Sequence, residues 1–531
     1  MTQSRLSAAL LVALLAAPAT FAQDQIEGQF RLVDGAQLPM YKVVNGNLEF
    51  AQASVVMVRD QTGALCSGTL IGCRTVLTAA NCFCTDPATG LVLTGAQCAA
   101  NTNLLDPSKY SVFFQHAPPM AVEKITVNPS FLFEENQEQS DVAIIRLAEP
   151  VDGVAPTPIS RVSRPLNGSA GKIVGFGRDS VTNDLGIKRT GAVIVEGCGT
   201  VPAAKNLCWN YADPVGAPGT DSNSCDGDAG GPMLADFGTG AVVAGVMASG
   251  TSAECTAPDE AWNTDVAAER SWIESVGGTD LNKTRCGELP QATKSGATTL
   301  GATATLDGAA SSYVASFDVP ANIALLRLAV HGEEFASSPR PNFDLYLKAG
   351  APPTENDYDC ASEGAGMVEF CEVQRPQATK WHVLVKQRQG AARFQVAATY
   401  FTKAASVCTP GPNVLCIDDV TGDKRFKVSL EYSSAPRGIS GQGKAISTAP
   451  IGVARGGLFW FFSADNPEVL VKVLNACGIN GHYWVFITAG TDVGYTVSVV
   501  DTTTGNTKSY SNTDLHPATP DQDVEAFACG N

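Results

Sequence analysis

In the first 290 positions, the residues able to take part in covalent chemistry stand in three places. Asn223-Ser224-Cys225-Asp226-Gly227-Asp228-Ala229-Gly230-Gly231-Pro232-Met233 is a glycine-rich loop with two carboxylates and, at its centre, a methyl group. Asn81 directly precedes Cys82, and Asp141 opens the apolar run Val142-Ala143-Ile144-Ile145. Attack on a carbonyl needs a nucleophile and a base to receive its proton. A methyl group cannot attack, and a carboxamide donates and accepts hydrogen bonds but has no titratable group near neutral pH. Of the five histidines only His116 falls in this region, and Ser222 and Ser224 flank the loop rather than occupy its centre. Neither the centre of the loop nor Asn81 supplies a nucleophile or a base.

The stretches that must position these residues read as strands. Ser54 to Arg59 and Leu65 to Ile71 alternate, with Gly63 and Gly72 as turn punctuation. Cys66 to Cys82 runs CSGTLIGCRTVLTAANC, Ser140 to Leu147 runs SDVAIIRL, and Ile173 to Gly177 runs IVGFG. With the GDAGGP loop, these stretches resemble the chymotrypsin/trypsin family of serine proteases, whose motifs read CSGTLI…VLTAAHC, D-I-A-L-L-x-L, V-x-G-W-G and GDSGGP. The resemblance implies an all-β fold with a two-barrel domain. It puts the catalytic histidine position at Asn81, the orienting aspartate at Asp141 and the nucleophile position at Ala229, with the backbone of Gly227 and Ala229 as oxyanion hole. Two of the three triad positions are therefore degenerate, and His116 and the flanking serines stand where nothing in the family pattern would bring them into the site.

The same resemblance sets further expectations. Asn223 would lie at the floor of the pocket for the substrate side chain, a neutral amide where a carboxylate would hold Arg or Lys. Ala248, Ser249 and Gly250 would form one wall. Cleavage after Lys42 would free Val43 to fold inward and pair with Asp228. Bridges Cys66–Cys82 and Cys225–Cys255 would hold the Asn81 and Ala229 loops. Cys198 and Cys208 are spaced for a local bridge, Cys84–Cys98 is favoured as local, and Cys73 with Cys286 is left by elimination. A helix around Trp272-Ile273 would close the domain near Gly277-Gly278.

Residues 1–22 carry Arg5, an apolar run from Leu6 to Ala17 and Thr20-Phe21-Ala22, the pattern of a secretory signal cut after Ala22. Sixteen cysteines, ten before residue 290, two between 290 and 405 and four after it, fit a secreted or periplasmic location. The length of 531 residues suggests about three domains. The expected order is signal 1–22, pro-segment 23–42, protease-like domain 43–278, linker 279–293, a β-sandwich at 294–402 and an all-β module at 406–531. The 294–402 stretch is similar to the pre-peptidase C-terminal family, with Cys360–Cys371 as its bridge. Cys408, Cys416, Cys477 and Cys529 allow three connectivities. Asp344, Asp357 and Asp359 are oxygen ligands by type but form no dense ligand loop, so no metal and no cofactor are expected.

A formal charge of −17, or −18 without Arg5, argues against nucleic acid or an anionic membrane as partner. No apolar run after the signal reaches the length of a membrane span. Three functional readings follow. The leading one is a secreted pseudoprotease that binds a peptide or protein ligand in the degenerate cleft. The alternatives are an active serine endopeptidase, or an adhesion protein whose C-terminal β domains meet an extracellular matrix or surface ligand.

Overall fold

The computed structural model describes residues 25–33, 44–61, 63, 65–161, 164–178, 185–212, 221–238, 240–287, 289–335, 337–402, 408–419 and 424–529. The expected signal, Lys42 and Val43 lie outside these residues. The described chain is almost entirely β, as its alternating apolar runs imply.

Strands Val55–Asp60, Leu65–Leu70, Thr75–Thr78, Tyr110–Phe113, Met120–Val127 and Ala143–Leu147 close into a barrel. Its interior is filled by Val55, Met57, Leu77, Phe113 and Ile144. A second, seven-stranded sheet runs Asn206–Tyr211, Asp259–Asp265, Ala241–Gly250, Pro232–Asp236, Ala170–Gly175, Arg189–Ile194 and Asn47–Leu48. Helix Val266–Gly277 follows, capped by Asp265, whose side chain accepts from the Ala267 amide. Glu269 on this helix is buried and accepts from Asn128, Ser140 and Lys205, which ties the helix to the start of the Asp141 strand.

Residues 297–402 supply four strands to each of two five-stranded sheets that face each other over Leu326, Leu328, Val330, Phe343, Leu345, Val385 and Phe394. Strands Gln25–Glu27 and Arg31–Leu32, within the stretch expected to be a pro-segment, occupy an edge of each sheet. Residues 279–286 and 291–293 are packed rather than loose. Cys286 is fully buried and bonded to Cys73, and Leu281, Gln291 and Ala292 are buried. Their polar, Gly/Pro-broken composition resembles a linker, but the disulfide and these three side chains fasten the stretch to the barrel.

The sandwich and the protease-like region belong to one compact unit. At their seam the His331 ring accepts from the Gln115 amide at Nε2 and donates from Nδ1 to the Gly186 carbonyl. His116 accepts from the Thr399 hydroxyl at Nδ1 and donates from Nε2 to the Phe50 carbonyl. Buried Arg327 donates to the carbonyls of His116 and Asp152 and pairs with Glu372. Leu48, Phe50, Ile187 and Ala397 make the seam's apolar cluster.

The second unit holds 287–290 and 402–531. It consists of two further five-stranded sheets around Phe426, Val471, Tyr483, Val497 and Phe527. Cys408–Cys416 and Cys477–Cys529 staple it. The other bridges are Cys66–Cys82, Cys84–Cys98, Cys198–Cys208, Cys225–Cys255 and Cys360–Cys371.

Candidate functional site

A cleft of about 300 Å³ receives Asn81 from the first barrel and the Cys225–Ala229 loop and the Met247–Gly250 strand end from the second sheet. The loop is held from below. Asp228 is buried, and its carboxylate accepts from the amides of Gly177 (2.7 Å) and Cys225 (3.0 Å). Burial pushes its pKa up to about 7. Gly227 takes φ +88°, and a Cβ there would meet Leu185 at 2.5 Å. The Ala229 carbonyl accepts from Ser67 N–H, and the Gly230 amide donates to the Met247 carbonyl. The N–H groups of Gly227 and Ala229 donate to no described residue. These contacts fix the backbone of the loop around the Ala229 methyl group.

Asp141 lies 2 % exposed behind Asn81. Its Oδ1 accepts from the backbone N–H of Asn81 at 2.9 Å, while Oδ2 has no partner among the described residues. Burial pushes this carboxyl up to about 7. The Asn81 side chain turns the other way and donates to the Ala248 carbonyl at 3.2 Å. Asp141 therefore orients the main chain at Asn81, not its carboxamide. Neither the Ala229 methyl nor the Asn81 carboxamide ionises near neutral pH. His116 lies at the seam, hydrogen-bonded to Thr399 and Phe50, away from the cleft.

Ala248, Ser249 and Gly250 line the cleft, but Asn223 does not. Asn223 is fully buried and donates its amide to Asp259 Oδ2 at 2.6 Å. The floor thus carries the Asp259 carboxylate, and the reading of a neutral pocket needs correction. Asp259 Oδ1 accepts from the Thr251 hydroxyl (2.9 Å) and the Ser252 amide (2.8 Å). All these partners are neutral, and no cationic side chain is paired with it among the described residues. Gly250 keeps the approach open, since a Cβ there would stand 2.8 Å from the carboxylate. Asp259 escapes a motif-based reading because it reaches Asn223 through folding, across 36 positions of sequence. Its only local signal is its place four residues after Cys255, at the start of a strand.

Val44, next to the expected cleavage point, is buried beside Tyr211, Cys225 and Cys255, and its carbonyl accepts from Asn223 N–H. Among the described residues no three His, Cys, Asp or Glu side chains converge as a metal site. Asp344 pairs with Arg388, Asp357 with Lys348, and Asp359 accepts from the Ala349 amide. No helix among the described residues is long and apolar enough to cross a membrane.

Comparison with known proteins agrees with this architecture. Residues 43–273 match the family model described as Trypsin. The chain is similar to CLIP domain-containing serine protease B4 of Anopheles gambiae, 24 % identical over 230 residues. That alignment covers 40 % of this chain and 62 % of the relative, so the chain spans less than two thirds of the relative's length. The barrel, the second sheet and the cleft they share make residues 43–273 a trypsin-like serine protease domain.

Proposed function

We propose that the cleft binds an extended peptide by a basic side chain and holds it without cutting it. The Asp259 carboxylate carries this reading: a buried acid with only neutral donors around it, at the floor of an open cleft, favours a cation. Asn81 and Ala229 on the same cleft supply neither base nor nucleophile. Cleavage after Lys42, with the new Val43 terminus reaching Asp228, belongs to the same proposal and would add a cation to a carboxylate that accepts from the Gly177 and Cys225 amides. Eight disulfides suit an oxidising, extracellular setting for this binding. We keep the pre-peptidase C-terminal reading for residues 294–402, which their two-sheet architecture supports.

Calorimetric titration with matched peptides ending in Arg, Lys or Leu tests the binding. We expect Arg and Lys peptides to bind at least tenfold tighter than the Leu peptide, and Asp259→Asn to abolish the difference. Equal affinity for all three would overturn the basic-pocket reading. Covalent labelling of the native protein by a fluorophosphonate, absent after heat denaturation, would instead favour an active endopeptidase.

A further inference from the structure

We propose that the β-sandwich of residues 297–402 is the receptor for the N-terminal segment 25–33 and retains it after the chain is cut between residues 34 and 43. The cleaved protein would then be a non-covalent two-chain assembly.

The segment completes both sheets of the sandwich. Gln25, Ile26 and Glu27 run parallel to Ser312, Tyr313 and Val314, and the Gly28 amide extends the ladder to the Val314 carbonyl at 2.8 Å. Arg31 and Leu32 then pair antiparallel with Gly301 and Leu300, and the Val33 amide donates to the Thr299 carbonyl at 2.9 Å. Nine residues thus cap an edge of each sheet, satisfying main-chain groups that would otherwise face water or another chain. This is the geometry of strand addition, in which main-chain bonds supply affinity and alternate side chains supply selectivity.

Three side-chain observations make the fit specific. Ile26 and Phe30 pack against the sandwich core, and the Phe30 ring meets Phe317 edge-on with centroids 5.0 Å apart. Gly28 passes over buried Tyr313, where a Cβ would stand 2.1 Å from the ring. Val33 packs onto the seam cluster with Leu48, Phe50, Ile187 and Ala397. Residues 23–42 contain no cysteine, so nothing covalent would hold the segment once the chain is cut. Retention must come from the two ladders and the partly buried Ile26 and Phe30. It does not depend on the peptide-binding reading of the cleft, so either can fail alone.

The test replaces Gly35–Leu38 in the full chain with the recognition sequence of a site-specific protease and cuts the native protein. Gel filtration with intact-mass detection at micromolar concentration should find the short fragment with the body, and separation only in denaturant. A fragment that elutes alone from a folded body overturns the proposal. In the combined variant Gly28→Val with Phe30→Ser, the cut fragment should leave the body at least tenfold faster, and retention as firm as in the parent would also overturn it. Hydrogen exchange on the uncut natural chain gives an independent reading. The Gly28 and Val33 amides should be protected at least a hundredfold over an open chain, and unprotected exchange at both contradicts the assignment.

Discussion

In the proposed binding of a basic side chain, selectivity turns on the pair Asn223 and Asp259. The Asn223 amide lies 2.6 Å from the Asp259 carboxylate, so Asn223→Asp would set two buried carboxyls in hydrogen-bond contact. Like charges at that distance cannot both ionise, and one pKa must rise. The unfolded chain releases both protons above pH 5, whereas the folded variant retains one. Its stability should therefore fall as pH rises, by about 1.4 kcal/mol per pH unit while one proton is held. Thermal midpoints of the variant at pH 5 and pH 8 check this, and a midpoint that is higher at pH 8 contradicts it. Asn81, Asp141 and Ala229 were legible in sequence because each sits inside a contiguous motif. Asp259 was not, because its role arises only where strand Asp259–Asp265 lays it against Asn223.

At the scale of elements, the seam between the protease-like region and the sandwich carries two strongly shifted histidines. Both ring nitrogens of His116 and of His331 are engaged, one as donor and one as acceptor, which fixes each imidazole as neutral. Burial, with Lys188 close by, lowers both to about 3 from an ordinary value of 6.5. Between these values the unfolded chain binds protons that the folded one refuses, so this contribution is lost as pH falls from 6.5 towards 3. Asp141 and Asp228, raised from 3.8 to about 7, act with the opposite sign over much of the same range. The histidine part is isolated by His331→Gln, whose amide can still meet Gln115 and Gly186. Denaturant midpoints should place this variant nearer the parent at pH 4.5 than at pH 7. Arg327→Ala should cost about 1–3 kcal/mol by leaving the His116 and Asp152 carbonyls without their donor, measured by chemical unfolding. None of this seam was legible from local pattern, since His116 and His331 lie 215 positions apart and fit no motif, as their numbering in the sequence shows.

On the scale of the whole molecule, the expected boundary at 278 cuts through a packed body. Ending the chain there would remove Cys286 from Cys73 and uncover Leu48, Phe50 and Ile187. A chain of residues 23–402 should unfold in one cooperative transition at the same midpoint as the corresponding transition of the full chain, while residues 43–278 should aggregate or bind a hydrophobic dye. Scanning calorimetry distinguishes the two, and a cooperative 43–278 domain of full stability would contradict the integrated seam. The all-β class was readable from alternation and turn residues. The short strands 25–27 and 31–32 were not, because a segment this brief takes its conformation from the edge it joins. The central claim is a protease body whose loop and pocket persist without reactive groups, and amidase assay of Asn81→His combined with Ala229→Ser tests it most directly. Triad members act as a unit, so each single variant should stay as silent as the natural chain. We predict that the double variant, cut after Lys42, hydrolyses amide substrates with Arg or Lys at the bond. Hydrolysis by the natural chain, or silence of a correctly folded double variant, would contradict the account.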